Sequence, residues 1–215
     1  MKKILLHIVF ALFALHSLAA MAEMSPELLA LSESWAKIKY QMPEDQRVEA
    51  LEALNQEAAA LVEANVGKAE PLVWQAIILS TTAGEKGGLG ALSLVKKAKK
   101  LLDRAEALDP EVLNGSVYTS LGSLYYQVPG WPIGFGSDKK AEIYLKKALA
   151  VNPDGMDPNY FYGDFLLQEK KNYSEALAAF ERALAAPSRK NRPIADAGRR
   201  EEIKAAMATV KLAMQ

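Results

Sequence analysis

The fold of this chain is constrained most strongly by a spacing of alanine, a large apolar residue, alanine and proline that occurs three times. The three sets are Ala98-Leu102-Ala105-Pro110, Ala141-Leu145-Ala148-Pro153 and Ala176-Phe180-Ala183-Pro187. The first two have identical spacings of 4, 3 and 5, and in the third the proline comes one position early. Residues three or four apart share one face of an α-helix, and proline ends a helix. Each set therefore predicts a helix with a stripe of small residues that stops at a turn.

A second helix is predicted just upstream of the middle set. Tyr118, Leu121, Gly122 and Tyr125 also follow helical spacing and place two aromatic rings beside a glycine. A small residue such as Gly122 allows two helix backbones to approach closely, while the large residues fill the seam between them. The sequence thus predicts helical hairpins in series. No segment alternates polar and apolar residues with a period of two, so no β-strand is predicted.

In this pattern the chain resembles the tetratricopeptide-repeat (TPR) family, in which an aromatic-x-x-Leu-Gly-x-x-Tyr helix A precedes an Ala-x-x-x-Phe/Leu-x-x-Ala helix B and a proline. The resemblance places repeats at 71–114, 115–155 and 156–190. It implies an all-α fold, a right-handed TPR-like solenoid of helical hairpins with about nine helices. The first repeat departs from the pattern at Ile78, where glycine is usual, and the third at Leu166, where tyrosine is usual.

The segments on either side of the repeats are also predicted to be helical. Residues 23–70 form a degenerate N-terminal hairpin whose first helix starts at Pro26, a residue favoured in a first helical turn. Residues 191–215 form one helix with an apolar stripe. The residues of that stripe are Ile203, Met207, Val210 and Met214. Because a stack of hairpins leaves its last core face open, this helix is predicted to cap it.

Residues 1–22 have the features of a signal peptide. They contain two lysines, an apolar run over 4–19 and the sequence Ala-Met-Ala at 20–22, the small-x-small end that signal peptidase accepts. The apolar run is shorter than the roughly 20 residues that a membrane-spanning helix needs, and a retained anchor is the alternative. The mature protein is expected to begin at Glu23. Without cysteine, it is expected to be a soluble periplasmic protein with no stable membrane insertion.

Removal of residues 1–22 takes away both histidines of a chain that has no cysteine. Ser-His-Asp and Cys-His triads are then excluded, as are the usual ligands of zinc, haem and iron–sulfur clusters. The remaining Asp, Glu, Lys, Tyr and Ser show no recognisable catalytic spacing, so we expect no enzymatic activity, no cofactor and no metal. Loss of Lys2 and Lys3 from 26 basic against 26 acidic residues leaves a formal charge of −2. This balance gives no electrostatic basis for nucleic-acid binding.

Two turns between helix A and helix B are longer than a regular repeat requires. The segments 82–90 and 127–137 carry insertions of eight and seven residues, whereas the third repeat carries only one extra residue. Stacking is expected to bring the two long turns into contact. The second contains Trp131 and Phe135 among glycines and prolines, which let a backbone approach another surface. Two interpretations stay open: these rings plug the edge of the stack, or they form the wall of a binding pocket.

The TPR resemblance also implies which side chains face the concave groove, because helix A positions 2, 5, 9 and 12 do so in that family. Carried onto this sequence, the positions are Leu72, Gln75, Leu79 and Thr82, then Ser116, Thr119, Ser123 and Tyr126, then Asp157, Tyr160, Asp164 and Leu167. This lining is mostly neutral, is rich in hydroxyl groups and lacks a basic clamp for a peptide's terminal carboxylate. Asp157 is also expected to cap the N-terminus of its helix.

The expected function is that of a non-enzymatic periplasmic TPR module. It would mediate protein or peptide interaction through its concave face and the two extended turns. The absence of a basic clamp favours an internal segment, a helix or an amine-bearing ligand over a C-terminal peptide tail. The alternative follows from similarity to exported TPR-like subunits associated with substrate transporters, and is a small-molecule or lipid-binding accessory protein of a transport system.

Overall fold

A computed structural model describes residues 24–215, and within this range the chain forms nine α-helices and no β-strand. The prediction of an all-helical chain is therefore confirmed for the described range. The predicted signal peptide, residues 1–22, and the predicted mature N-terminus at Glu23 lie outside it. None of the described helices combines the length and the apolar character that crossing a membrane requires.

Short connections join the helices. Their bounds are α1 Pro26–Gln41, α2 Glu44–Ala64, α3 Glu70–Lys86, α4 Gly88–Leu108, α5 Val112–Gln127, α6 Asp138–Val151, α7 Met156–Phe165, α8 Tyr173–Ala185 and α9 Pro193–Ala213. A π-helical turn, Leu166–Lys170, continues α7. A π-turn takes up one more residue than an α-turn, which accounts for the single extra residue predicted between the helices of the third repeat.

The two helices of each hairpin pack with their backbones close together. The pairs α3–α4, α5–α6 and α7–α8 pack extensively, and α2 also packs closely on α3. A Cβ atom at Gly122 would lie 2.7 Å from Cγ of Leu145, and one at Gly163 would lie 2.9 Å from the Phe180 ring. Ala148 is fully buried. The small-against-large pattern in the sequence therefore corresponds to real contacts between helices.

The first of the two predicted long turns is largely helical. α3 continues to Lys86 and α4 starts at Gly88, so only Gly87, with a φ of +62°, separates them. Residues 82–86 contain no proline, and Gly87 supplies the positive φ that reverses the chain. The insertion therefore lengthens both helices. This finding corrects the expectation of two adjoining loops, because only the segment 128–137 forms one.

The last helix does more than cap the final hairpin. α9 packs on α8 as predicted, and it also contacts α7 and α1. Gly198 of α9 lies so close to the Tyr40 ring of α1 that a Cβ atom there would overlap the ring. The Tyr40 hydroxyl also donates a hydrogen bond to Glu202 Oε2 at 3.3 Å. Because α1, α3, α5, α7 and α9 contact one another in succession, the α9–α1 contact closes them into a ring.

Candidate functional site

The ring encloses a cleft with a volume of about 1090 Å³. Its lining comes from α1, α3, α5, α7 and α9, and from the links that precede α5, α7 and α9. The other four described helices, α2, α4, α6 and α8, contribute no residue to it. Alternate helices of the chain therefore form an inner wall around the cleft, and the remaining helices form an outer layer.

Helix α5 gives the cleft a surface of small hydroxyl groups. Ser116, Thr119, Ser120 and Ser123 all line it. Ser116 Oγ donates to the Leu113 carbonyl at 2.7 Å, and Ser123 Oγ donates to the Ser120 carbonyl at 3.1 Å. Hydroxyl groups that bond to the carbonyls of their own helix are satisfied without a ligand. Their small side chains leave the centre of the cleft open.

The rim of the cleft beside α5 has an unusual backbone conformation. Leu113, Asn114 and Gly115 have φ values of 51°, 55° and 77°, all in the left-handed region. This conformation costs a non-glycine residue about 1–2 kcal/mol. Leu113 and Asn114 both line the cleft, and regular α-helical geometry starts only at Ser116. Local backbone strain is thus concentrated at the cleft, as is common at functional sites.

Two tryptophans form a rigid apolar wall. The rings of Trp35 and Trp74 meet edge to face, with their centroids 6.0 Å apart, and both residues line the cleft. Trp35 Nε1 donates a hydrogen bond to Thr81 Oγ1 at 2.9 Å, and Trp74 Nε1 lies 3.3 Å from Met24 Sδ. With both indole nitrogens occupied, the rings are held in place. Only 6% of Trp35 and 2% of Trp74 is exposed, so the rings form the buried apolar base of the cleft.

An arginine–carboxylate network lies where α7 meets α9. Asp157 accepts hydrogen bonds from Arg189 Nη1 at 2.8 Å and from Arg199 Nε at 3.0 Å. Arg199 Nη1 also donates to Glu202 Oε2 at 2.6 Å. Burial alone would raise the pKa of Asp157, but the guanidinium groups of Arg189 and Arg199 outweigh burial and hold this pKa well below its usual range. The network therefore contains an ionised Asp157 whose charge is already neutralised.

Arg192 differs from these two arginines. Its guanidinium carbon lies 5.0 Å from the centroid of the Trp74 ring, and its buried Nε has no hydrogen-bond partner. Across the described part of the chain, Arg192 takes part in no ion pair. Burial, followed by repulsion from Arg189, lowers the pKa of Arg192 to about 10, so the group stays charged at neutral pH. The cleft therefore holds a positive charge without a direct counter-ion.

The structure brings five of the predicted groove residues together in the cleft. These residues are Ser116, Thr119, Ser123, Asp157 and Tyr160. Asp157 is not the helix cap that the sequence predicts, because α7 begins at Met156 with Gly155 in the cap position. The carboxylate of Asp157 binds arginine side chains instead.

The predicted groove residues of α3 lie elsewhere, which corrects the expected register of that helix. Leu79 and Thr82 are buried in the core, and Gln75 donates a hydrogen bond to α2. Trp74 of the same helix packs on Trp35 of α1. Trp74 lines the cleft, whereas Gln75, Leu79 and Thr82 do not.

Tyr126 and Asp164 bind each other outside the cleft lining, which corrects their assignment to the groove. The Tyr126 hydroxyl donates to Asp164 Oδ2 at 2.6 Å and joins α5 to α7. The Tyr126 side chain is buried, with its ring 5.7 Å from that of Phe165. Burial and then the Asp164 charge raise the pKa of Tyr126 well above its usual value. The phenol therefore stays protonated and links neighbouring hairpins.

The turn over 128–137 divides its apolar residues between core and solvent. The Phe135 ring is half-buried and meets Tyr125 edge to face at 5.8 Å. Trp131 is 89% exposed and Ile133 is 64% exposed. Neither Trp131 nor Phe135 lines the cleft. Phe135 thus acts partly as the predicted plug, whereas Trp131 belongs to an outer surface and not to the pocket wall.

No sequence pattern singles out the arginines of this site. Arg189 and Arg192 lie in the link before α9, and Arg199 lies in the second turn of α9, at positions that the TPR-like spacing does not specify. The one available signal is the density of arginine around the start of a helix. Their pairing with Asp157 depends on a contact between segments distant in sequence. Within residues 24–215, no group of acidic side chains is arranged to hold a metal ion.

Comparisons with known proteins do not identify the chain: no protein-family model matches it, and no curated protein matches it significantly. The functional assignment therefore depends on the chemistry of the cleft.

Proposed function

We propose that this protein is a non-enzymatic, periplasmic binding protein that holds a small organic molecule in its central cleft, as an accessory of a transport system. The contact between α1 and α9 carries this proposal. An open concave groove accommodates a peptide or a helix along its whole length. A ring that is closed by its first and last helices offers a limited volume instead, which favours a small ligand over a long one.

A TPR-like, right-handed hairpin architecture whose two ends meet is part of the proposal. Support comes from the alternation of inner and outer helices around the cleft. The contacts of Gly122 with Leu145 and of Gly163 with Phe180 also occur where the TPR pattern pairs helix A with helix B. Asp109 and Asn152 end α4 and α6 immediately before a proline, as that pattern requires.

The size and lining of the cleft support a small ligand. Its volume of about 1090 Å³ lies just above the range for small-molecule sites, about 300–1,000 Å³. Such sites combine apolar and aromatic walls with a few polar groups that orient the ligand. Here the partly exposed Met24 and Ile77 lie over the buried rings of Trp35 and Trp74 and form the apolar wall, and the polar groups are the α5 hydroxyls and Arg192.

The non-enzymatic part of the proposal is supported by the three cleft carboxylates that lie next to its basic residues. Asp157 and Glu202 are both bound to Arg199, and Glu85 accepts a hydrogen bond from Lys39 at 3.2 Å. A carboxylate held by a guanidinium group is a weak base, because its charged form is already stabilised. These groups suit binding and positioning better than proton transfer.

Native mass spectrometry of the purified mature protein tests the function, since a bound small molecule adds a discrete mass that organic solvent releases. Ser120→Trp places a large ring inside the cleft, and Ser93→Trp, on the exposed outer face of α4, is the matched control. We expect Ser120→Trp to lose the added mass and Ser93→Trp to keep it. A folded Ser120→Trp variant that retains the ligand would exclude the cleft as the binding site.

A second candidate function, contact with a protein partner, is favoured by the exposed turn. Trp131 and Ile133 present large apolar side chains to solvent on one short segment, and aromatic residues of this kind often anchor protein interfaces. Chemical crosslinking in periplasmic extract, compared between the wild type and Trp131→Ala, tests it. A crosslinked partner that disappears in the variant supports this function, and an unchanged crosslinking pattern contradicts it.

A further inference from the structure

We propose that Arg192 forms an anion-binding subsite and that the ligand of the cleft is a small organic anion, with one acidic group on Arg192 and an apolar body against the partly exposed Met24 and Ile77. This inference rests on the proposed function and specifies its ligand class. The acidic group is a carboxylate or a sulfonate, both of which match the planar donor fork of a guanidinium group.

The first argument is the contrast between Arg192 and its neighbours. Arg189 binds Asp157 and Asp196, and Arg199 binds Asp157 and Glu202. Each of these guanidinium groups is therefore satisfied by two carboxylates. Arg192 has no carboxylate of its own within residues 24–215, and its buried Nε donates to no acceptor. A buried guanidinium group without an acceptor is unfavourable, and because Arg192 lines the cleft, a ligand there would supply an acceptor to this group.

The second argument is electrostatic. Three carboxylates, those of Asp157, Asp196 and Glu202, balance the three arginines in number, but none of them bonds to Arg192. The lowered pKa of Arg192 indicates that burial and repulsion from Arg189 outweigh attraction to Asp157 and Asp196. The positive charge is thus incompletely compensated, and it lies in the wall of an open cleft.

The rest of the lining limits the charge of the ligand. Seven acidic and four basic residues line the cleft. Four of the acids, which lie in or next to the links before α3, α5 and α7, take part in no ion pair of the described residues: Glu70, Asp109, Glu111 and Asp154. This surplus of negative charge would repel a polyanion such as a nucleotide. A single acidic group on an apolar molecule meets Arg192 and avoids most of that repulsion.

The apolar body has a surface to contact directly beside Arg192. The guanidinium group lies over the Trp74 ring, and Met24, Trp35 and Ile77 line the same cleft. An acidic group bound to Arg192 would bring the attached apolar atoms close to these side chains. The proposed ligand therefore matches both the unpaired charge and the apolar side chains beside it.

A matched pair of fluorescent probes tests this inference with the dialysed mature protein. The first probe is 8-anilinonaphthalene-1-sulfonate, and the second is N-phenyl-1-naphthylamine, which has the same ring system without the sulfonate. Both are titrated into the wild type, Arg192→Gln and Arg104→Gln. Arg104 is an exposed arginine on the outer helix α4, so its variant controls for the loss of one positive charge.

We expect the wild type to bind the sulfonate probe at least about tenfold more tightly than the neutral probe. Arg192→Gln should abolish this difference while binding the neutral probe as before, and Arg104→Gln should behave like the wild type. The melting temperature of Arg192→Gln should not fall, because the substitution removes a buried charge that has no partner. If Arg192 serves only to hold the Trp74 ring, the variant will melt earlier and lose affinity for both probes equally.

The other outcomes separate the two proposals. Equal binding of both probes to the wild type would refute the anion subsite and leave the proposed binding function standing. Binding of the sulfonate probe that is unchanged in Arg192→Gln would also refute the subsite. If neither probe binds the wild type, the anion inference is refuted, and the mass-spectrometric test alone decides the proposed function.

Discussion

The contact between Gly198 and Tyr40 closes the helical ring, and Gly198→Ala tests this contact. The substitution should lower the free energy of unfolding, whereas Gly→Ala in a helix usually raises it. On a solvated helix face, Gly→Ala stabilises a protein by about 1 kcal/mol. At Gly198 the added Cβ atom would overlap atoms at the root of the Tyr40 ring. The ring cannot easily swing aside, since its hydroxyl is bonded to Glu202 and its side chain is largely buried. Overpacking of this kind costs about 1–3 kcal/mol.

Gly84→Ala is the matched control, because Gly84 is also helical and a Cβ atom there would meet nothing within 4 Å. The gain in helix propensity is common to both variants, so the difference between them measures the α1–α9 contact. We expect Gly84→Ala to be stabilised and Gly198→Ala to be less stable by about 1–3 kcal/mol relative to it. Urea denaturation gives both free energies of unfolding. Equal stabilisation of the two variants would show that α9 does not pack on α1.

Four further predictions follow from particular residues. Ala148→Leu should cost about 1–3 kcal/mol in urea denaturation because Ala148 is fully buried, whereas Leu at the exposed Ala150 should be nearly neutral. Trp131→Ala should change the free energy of unfolding by less than about 0.5 kcal/mol, since the ring is exposed. Asp157 stabilises the fold at pH values above about 3.9, the pKa of its carboxyl group in the unfolded chain. This stabilisation is lost as the pH falls towards the lowered pKa that the group has in the folded protein. Asp157→Asn should therefore lose about 2–4 kcal/mol at pH 7 and show a shallower decline in stability between about pH 5 and pH 2. Intact-mass analysis of exported protein should give a chain that begins at Glu23, and recovery of the full-length chain from membranes would contradict the predicted signal peptide.

The helices could be predicted from the sequence because their signals are local. The spacing that ends at Pro110 and Pro153 identifies helix B of two hairpins, and α4 and α6 end within two residues of those prolines. Gly122 could likewise be recognised as a point of close approach, since a glycine inside a helical pattern usually has a packing reason. Its neighbour is Leu145, a residue of the same recurring pattern.

The register of α3 could not be predicted, since it depends on a contact outside the repeat. In the first repeat, Trp74 is at the aromatic position of the TPR pattern. Its actual neighbour is Trp35, which lies 39 positions earlier and belongs to a hairpin that matches the pattern poorly. The structure of the segment 82–90 could not be predicted either. The repeat spacing shows that extra residues are present, but it does not indicate whether they extend a helix or form a loop.

The chemistry of the cleft depends on the contact between α1 and α9 that closes the ring. The repeat pattern in the sequence does not predict this contact. Arg189, Arg192 and Arg199 reach the cleft because α9 turns back across α7 to α1. In an extended stack, the same helix would carry these charges to one end of the molecule, where water would solvate them. In the ring, Asp157 neutralises two of the arginines and Arg192 is left without a carboxylate. The contact that encloses the cleft therefore also gives it an unpaired charge, and disruption of the α1–α9 contact should weaken anion binding even when every cleft residue is retained.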